Sequence, residues 1–590
     1  MAPDSPATPT WRLTTPDAAQ VRGLATGLGV SPLVATLLAN RGFAGPAQAR
    51  PHLNPDLSQL TDPMLLPDMP AACKRLMVAI ERGHTILVHG DYDVDGVTGT
   101  ALLVRLLRHL GADVHWHIPS RFDDGYAFGD HSLRKAAEVG AQLVVSVDNG
   151  TSSADVIASL SGMGIDTIVT DHHEPPADGV LPQALAIVNP KREDCTYPFR
   201  ELCGAAVAFK LAWGLCQEIT GERQVRPDLR DFLVDAMGLV AIATVCDVVP
   251  LEQENRVLAH FGLKSLGAAR LPGFRALLEV ADLKGRPLTA EDVAFQIGPR
   301  INAAGRLDTA ARAVEVLLAE DDVAARLAAG RLDQFNKQRR ELERALLDQA
   351  LAQARPFGED PECPVIVIGD QGWHQGLVGI IAARLVDRFH KPAIVIGFDG
   401  ETGRGSARSV TGVSILDCMH GASEYFDRYG GHEAAAGCEL IPEHLEAVRH
   451  AVCDRAKRVL AENPPPEAQL QIDFDLPFEH MGEETMRSLE RLEPFGTGNE
   501  QPVLLSQDLR LAEPPRRVGG EGEHLMLQLR RGNTVLRAMF FGQGRRAEEL
   551  AMGLPLHAVY TPRRNHFRGQ SSLQLLLKDL HVGPTPPLAP

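Results

Sequence analysis

The sequence predicts an α/β protein: a parallel-sheet domain joined by a long helix to a second α/β domain, with a small β-barrel at the C-terminal end. Three patterns in the 590 residues predict it. Short apolar runs alternate with helical spacing between about 70 and 250. A charged stretch at 309–356 keeps an apolar period close to that of a helix. Beyond 467, short alternating stretches are broken by Gly-Gly and Arg-Gly-Asn.

Residues 1–50 form an N-terminal segment, rich in Pro, Ala and Thr at its start and weakly helical after that. In the first domain, set at 51–308, strands are expected at 85–89, 114–118, 143–147, 167–169 and 185–188. Leu102, Leu103, Leu106, Leu107 and Leu110 fall at helical spacing and predict a helix over 96–110. Apolar helices follow at 204–219 and 229–246. Leu332, Phe335, Leu342, Leu346 and Leu347 alternate with charged residues and predict one long amphipathic helix over 309–356. The second domain, 357–460, has strands at 364–368 and 393–396 around a helix at 376–389, then two glycine-rich stretches, 402–409 and 429–437. Glu462-Asn463-Pro464-Pro465-Pro466 reads as a linker. The stretches at 524–529 and 535–540 belong to the barrel, 467–583.

A formal charge of -17 argues against a nucleic-acid binder unless a basic groove is confined to part of the surface. Nine cysteines without a CxxC pair exclude a zinc ribbon and fit reduced thiols in a cytosol. MAPDSPATPT lacks the features of a signal peptide, and no apolar run is long enough to span a bilayer. A soluble cytoplasmic protein is the expectation.

The chemistry sits at the ends of the apolar runs: His89, Asp93 and Asp95 in ILVHGDYDVDG, Asp148 in LVVSVDNG, Asp171-His172-His173 in TIVTDHH, and Asp247 in ATVCDVVPL. Carboxyl ends of parallel strands meet along one sheet edge, where such folds build their sites. Clustered carboxylates and imidazoles there predict two metal ions, the usual machinery of phosphoester hydrolysis. Asp93 and Asp95 would share one side of an extended segment, and Gly96 lets the chain turn around them. The mixed O/N set around His172 and His173 suits Mn²⁺, Fe or Zn²⁺ better than Mg²⁺. Asp247 follows an apolar helix, where the C-terminal dipole disfavours a carboxylate unless a cation relieves it. Asp148 is assigned as the bridge between two ions, and His173, beside Asp171, as the residue that positions water or stabilises the leaving group.

Further segments would hold the substrate. Arg300, Asn302 and Arg306 in INAAGRLD suit phosphate oxygens. Arg404, Arg408 and Ser409 lie in a glycine-rich stretch read as a turn whose N–H groups form an anion nest. One of these sets is expected to bind a terminal phosphate. In the barrel, Arg516, Arg517, Arg530, Arg531, Arg563, Arg564, His566, Phe567 and Arg568 form the clearest basic collection, with Phe567 placed to stack a base.

Taken together, HGDYDVDGVTGTALL (89–103), SVDNG (146–150), DHH (171–173), CDVVPL (246–251), IGPRINAAGR (297–306), GWHQGLVGIIAARL (372–385), GRGSARS (403–409), GGHEAAAG (430–437) and PFGTGNEQPV (494–503) closely resemble the DHH phosphoesterase superfamily, and within it the branch of single-strand-specific 5′→3′ exonucleases. The resemblance implies that His89, Asp93, Asp95, Asp148, His172 and Asp247 are ligands of two Mn²⁺ or Mg²⁺ ions, with Asp171 and His173 completing the triplet. It places Gly430, Gly431 and His432 in a DHH-associated domain that holds the scissile phosphate, and makes the barrel an oligonucleotide-binding (OB) fold. It further implies release of 5′-mononucleotides in bacterial DNA repair and recombination, single-stranded DNA as substrate, and a monomer that works with single-strand-binding protein and a RecQ-type helicase. Single-strand selectivity would most simply be steric, from a narrow tunnel between the two α/β domains. The competing readings are a phosphodiesterase of short oligonucleotides or cyclic dinucleotides and a non-catalytic scaffold that binds single strands.

Overall fold

The computed structural model describes residues 9–121, 124, 128–462, 469–567, 570–584 and 588–589, without the side chains of 566, 567 and 570. These divide into two compact units, one built on 303–308 and 331–462, the other on 10–302, 309–330 and 469–589.

The larger unit starts with strand β1 (Thr10–Leu13) and the helices Ala18–Leu28, Pro32–Asn40 and Pro46–Leu53. A five-stranded parallel sheet follows: β2 (Ile86–His89), β3 (Val114–His117), β4 (Leu143–Val147), β5 (Asp166–Thr170) and β6 (Ala186–Val188), in the order β3-β2-β4-β5-β6. Strands β2 and β4 are buried along their whole length, as a sheet covered on both faces requires. Helix Val94–His109 starts because the Asp93 side chain accepts from the N–H groups of Asp95 and Gly96, capping it. Asp93 and Asp95 therefore occupy a cap and a first helical turn rather than the extended segment expected from their spacing. Helices Gly204–Thr220 and Pro227–Cys246 complete the covering and deliver their ends to the sheet edge.

The expected single helix over 309–356 is two helices, Ala311–Leu318 and Asp322–Gly358. The break has a local cause: Asp321 accepts from Val323 N at 2.8 Å and Ala324 N at 2.9 Å and starts the second helix.

In the smaller unit β7 (Ile366–Gln371), β8 (Ala393–Asp399), β9 (Thr402–Arg408), β10 (Arg428–Gly431) and β11 (Ala435–Leu440) form a mixed sheet in the order β10-β11-β9-β8-β7. The stretch read as a glycine-rich turn is strand β9, paired on both sides with β8 and β11. Its backbone N–H groups serve the ladder, so Arg404 and Arg408 do not sit in an anion nest. The glycines are explained by crowding: a Cβ on Gly403 would lie 2.4 Å from the Phe398 ring and one on Gly405 2.5 Å from Cys438 Sγ.

Strand β12 (Gln469–Ile472) pairs with β1, which brings the start of the chain to its last domain. Then β13 (Phe474–Asp475), β14 (Leu504–Leu511), β15 (Arg516–Val518), β16 (His524–Arg531), β17 (Thr534–Phe540), β18 (Leu556–Phe567) and β19 (Gln570–Val582) build the last sheet. Pairing of β14 with both β18 and β16 closes β14-β18-β19-β17-β16 into a five-stranded ring, the topology of an OB barrel. Leu504, Leu527, Phe540 and Leu575 fill it in one core with Leu24, Leu37 and Leu38 of the N-terminal helices.

The barrel is clamped to the parallel-sheet domain within this unit. Arg256, 1% exposed, donates from Nε to His52 O at 2.7 Å and from Nη2 to Glu493 O at 2.8 Å, with Nη1 to Pro494 O at 3.3 Å. Leu251 N donates to Thr497 O at 2.7 Å. PFGTGNEQPV is thus the strap that seats the barrel, and it grips the chain four residues downstream of Asp247.

Candidate metal centre

Close backbone approach builds the site. A Cβ on Gly96 would lie 2.4 Å from Asp91 N, and one on Gly90 would lie 2.0 Å from Thr100 Oγ1, so glycine is required at both ends of the loop carrying Asp91 and Asp93. Asp148, at the end of β4, adopts φ +63 and donates its N–H to Thr170 O at 2.9 Å. Gly204 opens the helix beside it, where a Cβ would meet Asp148 Cβ at 2.6 Å. The N–H groups of that helix start, Gly204 and Ala205, donate to the two Asp95 oxygens at 2.6 and 2.7 Å. Asp247 is the C-cap of helix Pro227–Cys246, as its place after the apolar run implied.

Three sets of candidate ligand atoms result: Asp91, Asp93 and Asp148; Asp148, His172 and His173; Asp95, His172 and Asp247, each set within 4.8 Å. His172 Nε2 lies 3.1 Å from Asp148 Oδ1 and 3.7 Å from both Asp95 Oδ2 and Asp247 Oδ2. Burial and the neighbouring carboxylates push Asp91, Asp95 and Asp148 up, and Asp247 up to about 7 by burial and Asp93. Among the described residues, no hydrogen-bond donor reaches the buried Asp148 Oδ1 or Asp91 Oδ1. Crowded carboxylate oxygens beside His172, whose pKa burial pushes down, fit divalent cations, and the mix of oxygens with one or two nitrogens fits Mn²⁺ or Mg²⁺.

Asp171 plays a different part. Burial would raise its pKa, but bonds from the His173 side chain and Thr151 N hold it well below the usual carboxylate range. Its Oδ1 accepts from His172 N at 2.8 Å and faces His173 Nδ1 at 2.8 Å. That bond raises His173 to about 9, although its side chain remains 48% exposed.

The structure thus gathers Asp93, Asp95, Asp148, His172 and Asp247, with His173 at the rim. Asp91 belongs with them and was missed, although the i, i+2, i+4 spacing of Asp91, Asp93 and Asp95 carried the signal. His89 is not among them. It groups with His117 and His131, its Nε2 lies 2.9 Å from Ser132 Oγ, and its ring packs edge-on against Phe128 at 4.7 Å. Residue 89 is the last of β2, and the carboxylates enter only after the chain has turned at Gly90.

Residues 85–244 match the DHH family N-terminal domain, 362–458 the DHHA1 domain and 472–579 the RecJ OB domain. Single-stranded-DNA-specific exonuclease RecJ of Bacillus subtilis is 35% identical over 574 residues, 97% of this chain and 71% of that protein. The chain belongs to the RecJ family. RecJ of Thermus thermophilus in complex with Mn²⁺ superposes with TM-score 0.81 at 32% identity, covering 98% of this chain and 80% of that one. Its complex with Mg²⁺ gives 0.76 at 31%, covering 98% and 79%.

The expected substrate residues of this RecJ-family chain are held to different degrees. Arg300 donates to Gln296 O at 2.6 Å and Val280 O at 3.0 Å from helix Gly298–Leu307, which also carries a half-buried Asn302. Arg306 donates to Gly376 O at 2.9 Å. Arg404 faces Glu439 at 3.2 Å, Arg408 donates to Ser406 Oγ at 3.0 Å, and Ser409 Oγ donates to Val413 O at 2.6 Å. Gly430 and Gly431 are the exposed last residues of β10, Gly431 with φ +145, and His432 opens the turn to β11.

The barrel's basic collection is largely neutralised. Arg564 pairs with Glu490 and Glu483, Arg563 with Glu291 at 3.4 Å, Arg517 with Glu548 at 2.8 Å and Arg531 with Glu479 at 3.5 Å. Arg516 and Arg530 lie on β15 and β16. The side chains of His566 and Phe567, and all of Arg568, lie outside the described residues, so the stacking role expected of Phe567 does too.

Proposed function

We propose that this chain is a single-stranded-DNA-specific exonuclease that hydrolyses phosphodiesters with two divalent ions, Mn²⁺ or Mg²⁺, from the 5′ end, releasing 5′-mononucleotides. The observation that carries the reading is the overlap of three ligand sets at Asp148 and His172, in a chain related to RecJ along nearly its whole length. Asp91, Asp93, Asp95, Asp148, His172 and Asp247 would hold the ions, with Asp148 as the bridge. When bound, the ions supply Lewis-acid polarisation of the phosphodiester and an acidified water.

The chain's own residues do the rest. The N–H groups of Gly204 and Ala205 fix both oxygens of Asp95. Thr151 N and His172 N fix Asp171, which in turn holds His173 through Nδ1 and leaves its Nε2 for a phosphate oxygen, water or leaving group. The exposed end of β10 at Gly430 and Gly431, with His432, would contact the scissile phosphate. One arginine set, on helix Gly298–Leu307 or on β9, would bind the terminal 5′-phosphate and impose polarity; equal degradation of dephosphorylated DNA would overturn that part. The closed OB barrel, strapped down by Arg256, favours a long polymer over a dinucleotide. A role in DNA repair and recombination in a bacterial cytoplasm, as a monomer working with single-strand-binding protein and a RecQ-type helicase, belongs to the same proposal and rests on the resemblance alone.

The test is digestion of a long, internally labelled, 5′-phosphorylated single strand with Mn²⁺ by the wild type and by Asp95→Ala. Mononucleotides released progressively from the 5′ end, and lost in the variant, support the reading. An intact strand with cleaved di- or trinucleotides moves the chain to the short-oligonucleotide branch.

A further inference from the structure

His89, His117 and His131 each bring one ring nitrogen within 4.8 Å of the other two. They come from the end of β2, the end of β3 and the first turn of helix Asp130–Val139. None of the three is needed by the carboxylate centre described above.

The spacing of the three rings is wide enough to admit one shared ion. Ring centroids are 5.2 Å apart for His89 and His117, 5.3 Å for His117 and His131, and 5.4 Å for His89 and His131. Three imidazoles on a tetrahedral ion, with metal–nitrogen bonds of about 2.0–2.1 Å, hold their ring centres about 5.2 Å apart and their nitrogens about 3.4 Å apart. His117 Nε2 lies 3.1 Å from His131 Nδ1. The planes are tilted by 59°, 45° and 33°, so the trio is not a stack.

Burial points the same way. His89 and His131 are 0% and 5% exposed, and His89 Nδ1 has no hydrogen-bond partner among the described residues. A buried polar atom left unpaired is destabilising, and three converging imidazoles are an unusual way to fill a core. Ser132 Oγ stands 2.9 Å from His89 Nε2 and 3.5 Å from His131 Nδ1, and accepts from Gly129 N at 3.1 Å.

We propose that His89, His117 and His131 form a third ion site, all nitrogen, for a borderline-soft divalent cation of the zinc class, with water completing the coordination. Imidazole donors suit Zn²⁺, Cu²⁺, Fe²⁺ or Ni²⁺, whereas Mg²⁺ prefers oxygen. Selectivity therefore separates this site from the carboxylate-rich centre. A bound ion ties β2, just before Gly90 and Asp91, to β3 and to the helix that begins at Asp130.

The test uses the full chain stripped of metal and titrated with Co²⁺ in excess Mg²⁺, in an Asp148→Asn background that cripples the carboxylate centre. The expected result is one equivalent of Co²⁺ with the visible absorption of a tetrahedral nitrogen-rich site, bleached by Zn²⁺ and lost when His117→Asn and His131→Asn are added. Absence of that absorption in the Asp148→Asn protein, or its survival in the histidine variant, overturns the proposal. Should the histidine variant fail to fold, histidine-selective acylation of the unsubstituted chain decides: His117, only partly buried, reacts more slowly with Zn²⁺ present if the site exists. An unchanged rate overturns it.

Discussion

Gly204→Ala tests the construction of the carboxylate centre without touching a candidate ligand. The added Cβ would stand 2.6 Å from Asp148 Cβ, 2.7 Å from Asp148 Oδ1 and 2.9 Å from Asp148 Cα. Carbon atoms at rest sit about 3.5–4.0 Å apart, so something must retreat by about 1 Å. If Asp148 moves, the bridge between the ligand sets moves with it. If the helix start moves, the 2.6 and 2.7 Å bonds to Asp95 lengthen. Overpacking of this kind costs about 1–3 kcal/mol of stability, and a misplacement of about 1 Å costs about 10²-fold in rate. Initial exonuclease rates against Mn²⁺ concentration should show about a hundredfold loss and a raised half-saturation, with thermal unfolding lowered by a few degrees. Gly330→Ala is the control: it lies inside helix Asp322–Gly358 with nothing within 4 Å of its added Cβ. It should gain about 0.5–1 kcal/mol and keep its activity. A Gly204→Ala enzyme with wild-type rate and Mn²⁺ dependence would refute the reasoning.

Other predictions follow from the same geometry. Asp91→Asn should weaken Mn²⁺ binding by roughly 10–100-fold or more, because its unpartnered Oδ1 is offered to the ion; isothermal titration checks this, and unchanged affinity would remove Asp91 from the site. Arg256→Ala leaves the carbonyls of His52 and Glu493 without their Arg256 donor, while Pro494 O keeps Asn499 Nδ2 at 2.8 Å, and should cost about 2–4 kcal/mol, read from the urea midpoint, while the Mn²⁺ affinity of the carboxylate centre stays within a few-fold. In the metal-free protein His173 is raised from 6.5 to about 9, so its pairing with Asp171 stabilises fully below about 6.5 and is lost as pH rises through about 9. His173→Gln should flatten that limb of the stability profile, and an unchanged slope would contradict the pair. Added Mn²⁺ at about 100 times its dissociation constant should stabilise the wild type by about 2.7 kcal/mol, an effect that chelation reverses and Asp148→Asn abolishes.

The sequence by itself determined the parallel sheet, since buried strands such as Leu143–Val147 are mostly apolar runs, broken there only by Ser146, with a chemical residue at the end. It also determined most of the metal centre, because Asp148, His172 and Asp247 are tied to element ends that apolar periodicity locates. What it left open was decided by contacts distant in sequence. His89 sits beside three aspartates in the chain, yet its ring is claimed by His117 and His131, whose positions depend on how β3 and the following helix return to β2. Arg404 and Arg408 were drawn to a turn by their glycines, whereas those glycines serve strand β9, where Phe398 and Cys438 leave no room for a Cβ. The arginines of the barrel looked like a phosphate track until their acidic partners, Glu291, Glu483 and Glu490, were brought in from far along the chain. Local spacing shows which residues can do chemistry; which of them meet, and which are spent on pairing one another, is settled by packing between elements.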